Sequence, residues 1–285
     1  MTPPSFVETP VRNVRRLRQV QSTLFRYGFD IVVESAGMHR IGQLFKRRAA
    51  RKSEIIREHT TAQRIRMLLE ELGPTYIKLG QILSSRTDIL PADWARELAS
   101  LRDSANTFPA EQVLETLHRE LGENAEERYI EFDPASPIAA ASIGQVHAAK
   151  IASGRQSVVI KIQRPGIEDQ VYADIEIIRD IARVLENQFA IARDNGLLEI
   201  VDEVAQALKE ELDYQSEARN AMQLAANMAR FPGIHVPHIY SELSTKRVLT
   251  MEHISGIKIT DVDALDAAGI DRIELAERFI RVMFH

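Results

Sequence analysis

One lysine in a run of β-forming residues carries the strongest chemical potential in this sequence. In Val158-Val-Ile-Lys-Ile162, Lys161 is flanked by β-branched side chains. Strand alternation predicts Val159, Lys161 and Gln163 on one face and Val158, Ile160 and Ile162 on the other. An ammonium on a half-buried face costs several kcal/mol without a counter-charge. Lys161 therefore needs a carboxylate or a phosphate, unless it snorkels to water at a sheet edge. Upstream lies Pro137-Ile-Ala-Ala-Ala-Ser-Ile-Gly-Gln-Val-His147, a turn of small residues between strands. A tight turn presents backbone N–H groups to phosphate oxygens while a strand lysine neutralises their charge. Ala139, Ala140 and Ala141 stand where such a turn usually has glycines, and alanine does not freely adopt positive φ. The turn is therefore expected to be stiff, with Ser142, Ile143, Gln145 and Val146 completing the candidate binding segment. Without the lysine, an alanine triplet reads equally as a helix start or a packed turn.

Two further groups of polar residues have suggestive spacing. In Lys78-Leu-Gly-Gln81, helical geometry places Lys78, Gln81 and Ser85 in one narrow arc, opposite Tyr76, Leu79, Ile82 and Leu83. One face can pack while the other offers an ammonium and an amide; the alternative is a solvent-facing pair. Glu211 and Asp213 would diverge by about 200° on a continuous helix, so both face one cleft only if the helix begins or breaks beside them.

The elements that must position these groups follow from composition and pattern. The chain has 285 residues, 45% hydrophobic and 27% charged, as in an ordinary globular protein with its own core. It has no cysteine, which excludes disulfides, thiol nucleophiles and cysteine-based zinc sites. No apolar run is long enough for a membrane-spanning helix. The net charge of -5 divides unevenly: residues 1–70 carry +8 and the remainder -13. A basic arm before an acidic body points to an anionic surface, and lipid headgroups fit better than nucleic acid because no aromatics are interleaved with the basic residues. The arm, Val11 to Lys52, reads as amphipathic helix with Arg12, Arg15, Arg16, Arg18, Arg47, Arg48, Arg51 and Lys52 flanking an apolar middle. It is either a lid or membrane-surface arm, or a solvated helix pair docked on the body.

Further helices are predicted at Thr60–Leu72, Thr75–Arg86, after Pro91, and at Pro109–Leu121, with Gly73-Pro74 as a stop and restart. Short β-rich stretches follow at Arg128–Phe132, Ala141–Ile151 and Gln156–Gln163, read as one antiparallel sheet. Helical periodicity resumes at Ile167–Asn195 and from Gly196 to about Ala229. A strand pair, His235–Tyr240 and Lys246–Met251, precedes a final helix from Asp271.

Taken together, five segments resemble the UbiB/AarF family of atypical kinase-like proteins. They are Lys78-Leu-Gly-Gln81; Ala139-Ala-Ala-Ser-Ile-Gly-Gln-Val-His147; Val159-Ile-Lys-Ile-Gln-Arg-Pro-Gly166; Glu211-Leu-Asp-Tyr-Gln-Ser-Glu-Ala-Arg-Asn220; and Met251-Glu-His253. The resemblance runs from about Leu69 to the last residue. It implies an α+β fold: a protein-kinase-like N-lobe of antiparallel sheet plus helices, preceded by an all-helical extension, with a truncated C-lobe. The implied divisions are a basic arm at 1–58, a helical extension at 59–125, an N-lobe at 126–253 with a helical insertion at about 167–195, and the start of a C-lobe at 254–285.

The resemblance also implies roles. Glu217 would pair with Lys161 as the αC glutamate of kinases does, and Glu211 and Asp213 would work with the Lys78–Gln81 segment or a metal. Met251, Glu252 and His253 would form the hinge that reads an adenine edge. ATP and Mg2+ are the implied cofactors, with metal ligands expected beyond residue 285, because the family's His-x-Asp-x-His-Pro-Gly-Asn stretch does not occur here. The chain alone is therefore expected to lack phosphoryl transfer. The implied setting is ubiquinone or other isoprenoid-lipid biosynthesis, cytoplasmic and peripheral to the inner membrane, with an anionic lipid surface and lipid-biosynthesis enzymes as partners. The alternative is a non-catalytic, nucleotide-gated lipid-binding or scaffold module.

Overall fold

A computed structural model describes residues 11–29, 58–87, 90–101 and 107–284. Of the predicted arm, α1 (Val11–Arg26) falls in this set and residues 30–57 lie outside it. A bundle follows: α2 (Thr61–Leu72), α3 (Pro74–Ser84) and α4 (Ala92–Ala99). Thr60 opens α2 with a capping box, its hydroxyl accepting from the Gln63 N–H and the Gln63 side chain accepting from the Thr60 N–H. Gly73, at φ 93°, turns the chain, and Pro74 starts α3. Gly80 lets α3 sit against its neighbours, since a Cβ there would come within 2.3 Å of Leu101 and 2.8 Å of Leu69. The apolar faces of these helices bury Val20, Leu69, Leu72, Tyr76 and Leu98 together with Ile177 of the next layer.

After α5 (Ala110–Leu121) comes a five-stranded antiparallel sheet of β1 (Tyr129–Ile130), β2 (Ala139–Ala140), β3 (Gly144–Ile151), β4 (Ser157–Gln163) and β5 (Val248–Glu252). The order is β1-β3-β4-β5, with β2 also paired to β3. One face, with Val158, Ile160 and Ile162 fully buried, packs on Val113 and Leu117 of α5. The other packs on α6 (Ile167–Gln188), α8 (Leu197–Glu211) and α9 (Tyr214–Met228), with α7 (Ala190–Asp194) between α6 and α8. Two short helices, α10 (Val262–Ala267) and α11 (Arg272–Met283), end the described chain; Ile273, Phe279, Ile280 and Met283 of α11 are exposed.

The fold departs from the sequence reading in several respects. The predicted helix from Gly196 to Ala229 is two helices broken at Leu212-Asp213. His235–Tyr240 is not a strand; Pro237 lacks an N–H, and one bridge, Ile239 to Met251, remains. β1 ends early because Glu131 adopts a positive φ of 57°. Arg16, read as part of a basic flank, is turned inward. Its guanidinium makes two bonds to the fully buried Asp174 of α6, at 2.6 and 2.9 Å, and donates to the Leu72 carbonyl at 2.7 Å. The guanidinium also lies over the Tyr76 ring.

Replacing Arg16 leaves a buried carboxylate without its counter-ion. Arg16→Ala is expected to lower stability by about 3–5 kcal/mol, read by urea denaturation. Asp174→Asn in that background is expected to restore part of it. An unchanged midpoint for Arg16→Ala contradicts this assignment.

Candidate functional site

Sheet register places the chemistry. Ala139 pairs with Val146, Val146 with Lys161, and Lys161 with Leu249, so these four residues form one row across the sheet on a common face. The alanine turn therefore lies two strands, about 10 Å, from the Lys161 backbone. A neighbouring row, Ala148, Val159 and Met251, is apolar and only partly covered. The Ala139–Gly144 turn is tight: the Ala141 N–H donates to the Gly144 carbonyl at 2.8 Å, and none of the alanines takes positive φ. Gly144 allows this closeness, since a Cβ there would lie 2.5 Å from the Ile162 carbonyl oxygen and 2.7 Å from the Tyr214 hydroxyl. Ser142 in the turn is buried, and its hydroxyl has no hydrogen-bond partner.

The Lys161 ammonium donates to Glu217 Oε2 at 2.6 Å. The lysine side chain is 23% exposed and the glutamate 44%, so the pair opens to solvent. Glu217 reaches it because of the break between α8 and α9. Leu212 closes α8, and the extended Asp213 caps α9, accepting from the Gln215 N–H at 3.0 Å and the Ser216 hydroxyl at 2.9 Å. Gln163, buried at the end of β4, fixes this corner by donating its amide N–H to the Leu212 carbonyl at 3.0 Å.

The corner also meets the helical extension, because Lys78 of α3 forms an ion pair with Glu211 at 2.9 Å. Glu211 and Asp213 thus serve different contacts, the first toward α3 and the second as a cap. Burial opposes ionisation of Asp213, but hydrogen bonds from Ser216, Gln215 and Arg219 hold its carboxyl below the usual aspartate range. Burial, followed by the nearby charges of Glu217 and Glu211, pushes the Tyr214 hydroxyl well above a free tyrosine.

Several sequence candidates are placed elsewhere. Gln145 requires correction as a ligand contact: strand alternation puts it opposite the Lys161 face, fully buried, with its amide bonded to the Phe108 backbone at 2.6 Å. The Gln81 amide donates to the Leu101 carbonyl at 3.1 Å, a contact between α3 and the end of α4. At the predicted hinge, the Glu252 N–H donates to the His238 carbonyl and the His253 N–H to the Ser157 carbonyl. The Glu252 carboxylate holds His235 and the His238 N–H. Among the described residues no group of three or more His, Asp or Glu is placed to hold a metal ion. Tyr214 and Gln163 were not assigned roles from sequence. The signal for both was present, in Asp213 as a capping residue before Tyr214 and in the shared face of Lys161 and Gln163.

The mixed α/β architecture, with an antiparallel sheet carrying an ion-paired lysine and helices on both faces, is that of a kinase-like domain. The ABC1 atypical kinase-like domain matches residues 100–285, and the chain belongs to that family. A protein of Marinobacter nauticus named "Probable protein kinase UbiB" is 42% identical over 78% of this chain and 40% of its own length. Proteins of the same name from Pseudomonas aeruginosa and Shewanella woodyi are 36% and 34% identical, covering 95% and 96% of this chain and 51% and 50% of theirs. The chain thus spans about half the length of the curated relatives it matches. A solved structure, the Rv3197–erythromycin complex from Mycobacterium tuberculosis, is 31% identical and aligns over 68% of this chain and 48% of that one, with a TM-score of 0.47.

Two outcomes check the local geometry. Gly144→Ala forces a methyl against the Ile162 backbone and is expected to cost about 1–3 kcal/mol, measured by chemical denaturation; wild-type stability contradicts the close approach. Because the carboxyl of Asp213 is held low in the folded state, its stabilisation is complete above the usual aspartate range and is lost as pH falls through the lowered value. Protection of the Gln215 amide against exchange, taken relative to its intrinsic rate at each pH, should fall on acidification, and Asp213→Asn should remove that dependence.

Proposed function

We propose that this chain forms the nucleotide-binding portion of a UbiB-type atypical kinase or ATPase. The observation that carries the reading is the Lys161–Glu217 ion pair at 2.6 Å, on the same sheet face as a stiff, tight turn. An ammonium has three N–H donors, and the Glu217 carboxylate takes one, leaving an open side for phosphate oxygens. The buried Ser142 hydroxyl, without a partner, is a second group suited to phosphate. The apolar row of Ala148, Val159 and Met251 offers a flat base a surface beside the lysine. With the N–H groups of 252 and 253 donating to the His238 and Ser157 carbonyls, adenine recognition falls to other backbone groups of that segment.

Bound ATP would supply a transferable phosphoryl group; Lys161 and the turn would hold and orient its phosphates while Glu217 holds Lys161. No step is assigned to Mg2+ in the described residues. The UbiB name of the relatives supports placing the longer protein's activity in ubiquinone or related isoprenoid-lipid biosynthesis, beside lipid-biosynthesis enzymes at an anionic membrane surface. No described helix is long and apolar enough to cross a membrane. Arg15 and Arg18, exposed on α1, are the described groups suited to headgroups, whereas Arg16 is committed to Asp174.

A nucleotide-gated, non-catalytic module is the second reading, favoured by the turn's use of the Ala141 N–H on its own carbonyl, which leaves phosphates fewer backbone donors.

Lys161→Met tests the site: Mg·ATP should raise the melting temperature of the wild-type chain and that of the variant much less at the same concentration, whereas an equal shift in both overturns it. For the surface, flotation with phosphatidylglycerol vesicles should weaken severalfold when Arg15 and Arg18 are both changed to Glu. Equal flotation removes α1 as the membrane contact.

A further inference from the structure

We infer that Tyr214 is the positioning residue that sets Lys161 against the alanine turn, an inference that rests on the nucleotide reading of that site. Tyr214 is fully buried, and the Lys161 ammonium lies 4.6 Å from the centre of its ring. A cation over an aromatic face is attracted by the ring's quadrupole. Glu217 therefore fixes the ammonium by charge while the Tyr214 ring supports it, and the lysine side chain stays partly open to solvent. The phenol reaches the turn as well. Its hydroxyl lies 2.7 Å from where a Gly144 Cβ would be, at the residue whose carbonyl accepts the Ala141 N–H and closes the turn.

The residue itself is held firmly. It is the first residue of α9, directly after the capping Asp213, and its N–H donates to the Lys246 carbonyl at 3.1 Å just before β5. One side chain thus touches the sheet lysine and the start of β3, while its backbone is tied to the approach to β5. The hydroxyl is buried without a hydrogen-bond partner, which is uncommon in a folded chain. Its contribution here is length, one heavy atom beyond phenylalanine that occupies the space a Cβ at Gly144 would need and so backs the turn at that residue.

The test separates ring from hydroxyl. A ring beneath Lys161 shifts its ε-methylene protons upfield by ring current, assigned by loss of the signal in Lys161→Arg. Tyr214→Phe should keep that shift and, by opening space at Gly144, raise amide exchange at Ala141 and Gly144. Tyr214→Leu should abolish the shift and weaken Mg·ATP binding about tenfold in the folded fraction. A merely structural role would lower stability while leaving the ε-methylene shift and the affinity of the folded chain unchanged, and that result overturns the inference. If the wild-type chain binds no nucleotide, the site reading fails, but the ε-methylene shift still decides whether the ring positions Lys161.

Discussion

The ion pair between Lys161 and Glu217 joins segments 56 residues apart, and much of the architecture between them serves to close it. A lysine on the inner face of a sheet imposes a constraint that no local structure satisfies. Its counter-ion must come from another element, at bonding distance, without burying either charge completely. Here α6, α7 and α8 carry the chain away from β4 and back. The break at Leu212 then redirects it, so that the first turn of α9 points at the strand it left. Gln163, two residues after Lys161, holds that break to the end of the same strand. The lysine and the anchor for its partner thus share one strand and one face.

The helical extension is tied to this arrangement through charge. Lys78 meets Glu211 at the corner itself, while Arg16 crosses from α1 to the buried Asp174 of α6 and caps the C-terminal carbonyl of α2 on the way. Gly80, between Lys78 and Gln81, lets α3 lie close enough to its neighbours for this geometry. The motif that looks chemical in sequence is therefore in part a packing device: one residue reaches the corner, one permits close approach, and one ties α3 to Leu101.

Much of this was legible in the sequence because it follows from local rules. Alternation in Val158–Ile162 gave the face of Lys161, the Gly73-Pro74 step gave the boundary of two helices, and five ordered segments gave the family. The failures share a cause in long-range structure. Gln145 was assigned to the cleft because a turn motif was read as one unit, although strand alternation sends its side chain to the opposite face. Arg16 was counted with a basic flank because its partner, Asp174, is distant in sequence. The break at Leu212 is open in the sequence: spacing alone leaves either a helix that begins or breaks beside Glu211 and Asp213 or a continuous one with one of the two as a surface acid. The role of Tyr214 needed the register of three elements at once.

The central claim is that Lys161 and Glu217 act as one unit at a nucleotide site. The most direct measurement is a double-mutant cycle in Mg·ATP affinity, using Lys161→Met, Glu217→Gln and the combined variant. The account predicts strong non-additivity, with the double variant binding no more weakly than Lys161→Met alone and a coupling of about 1–3 kcal/mol. Additive losses, or none at all, would contradict it.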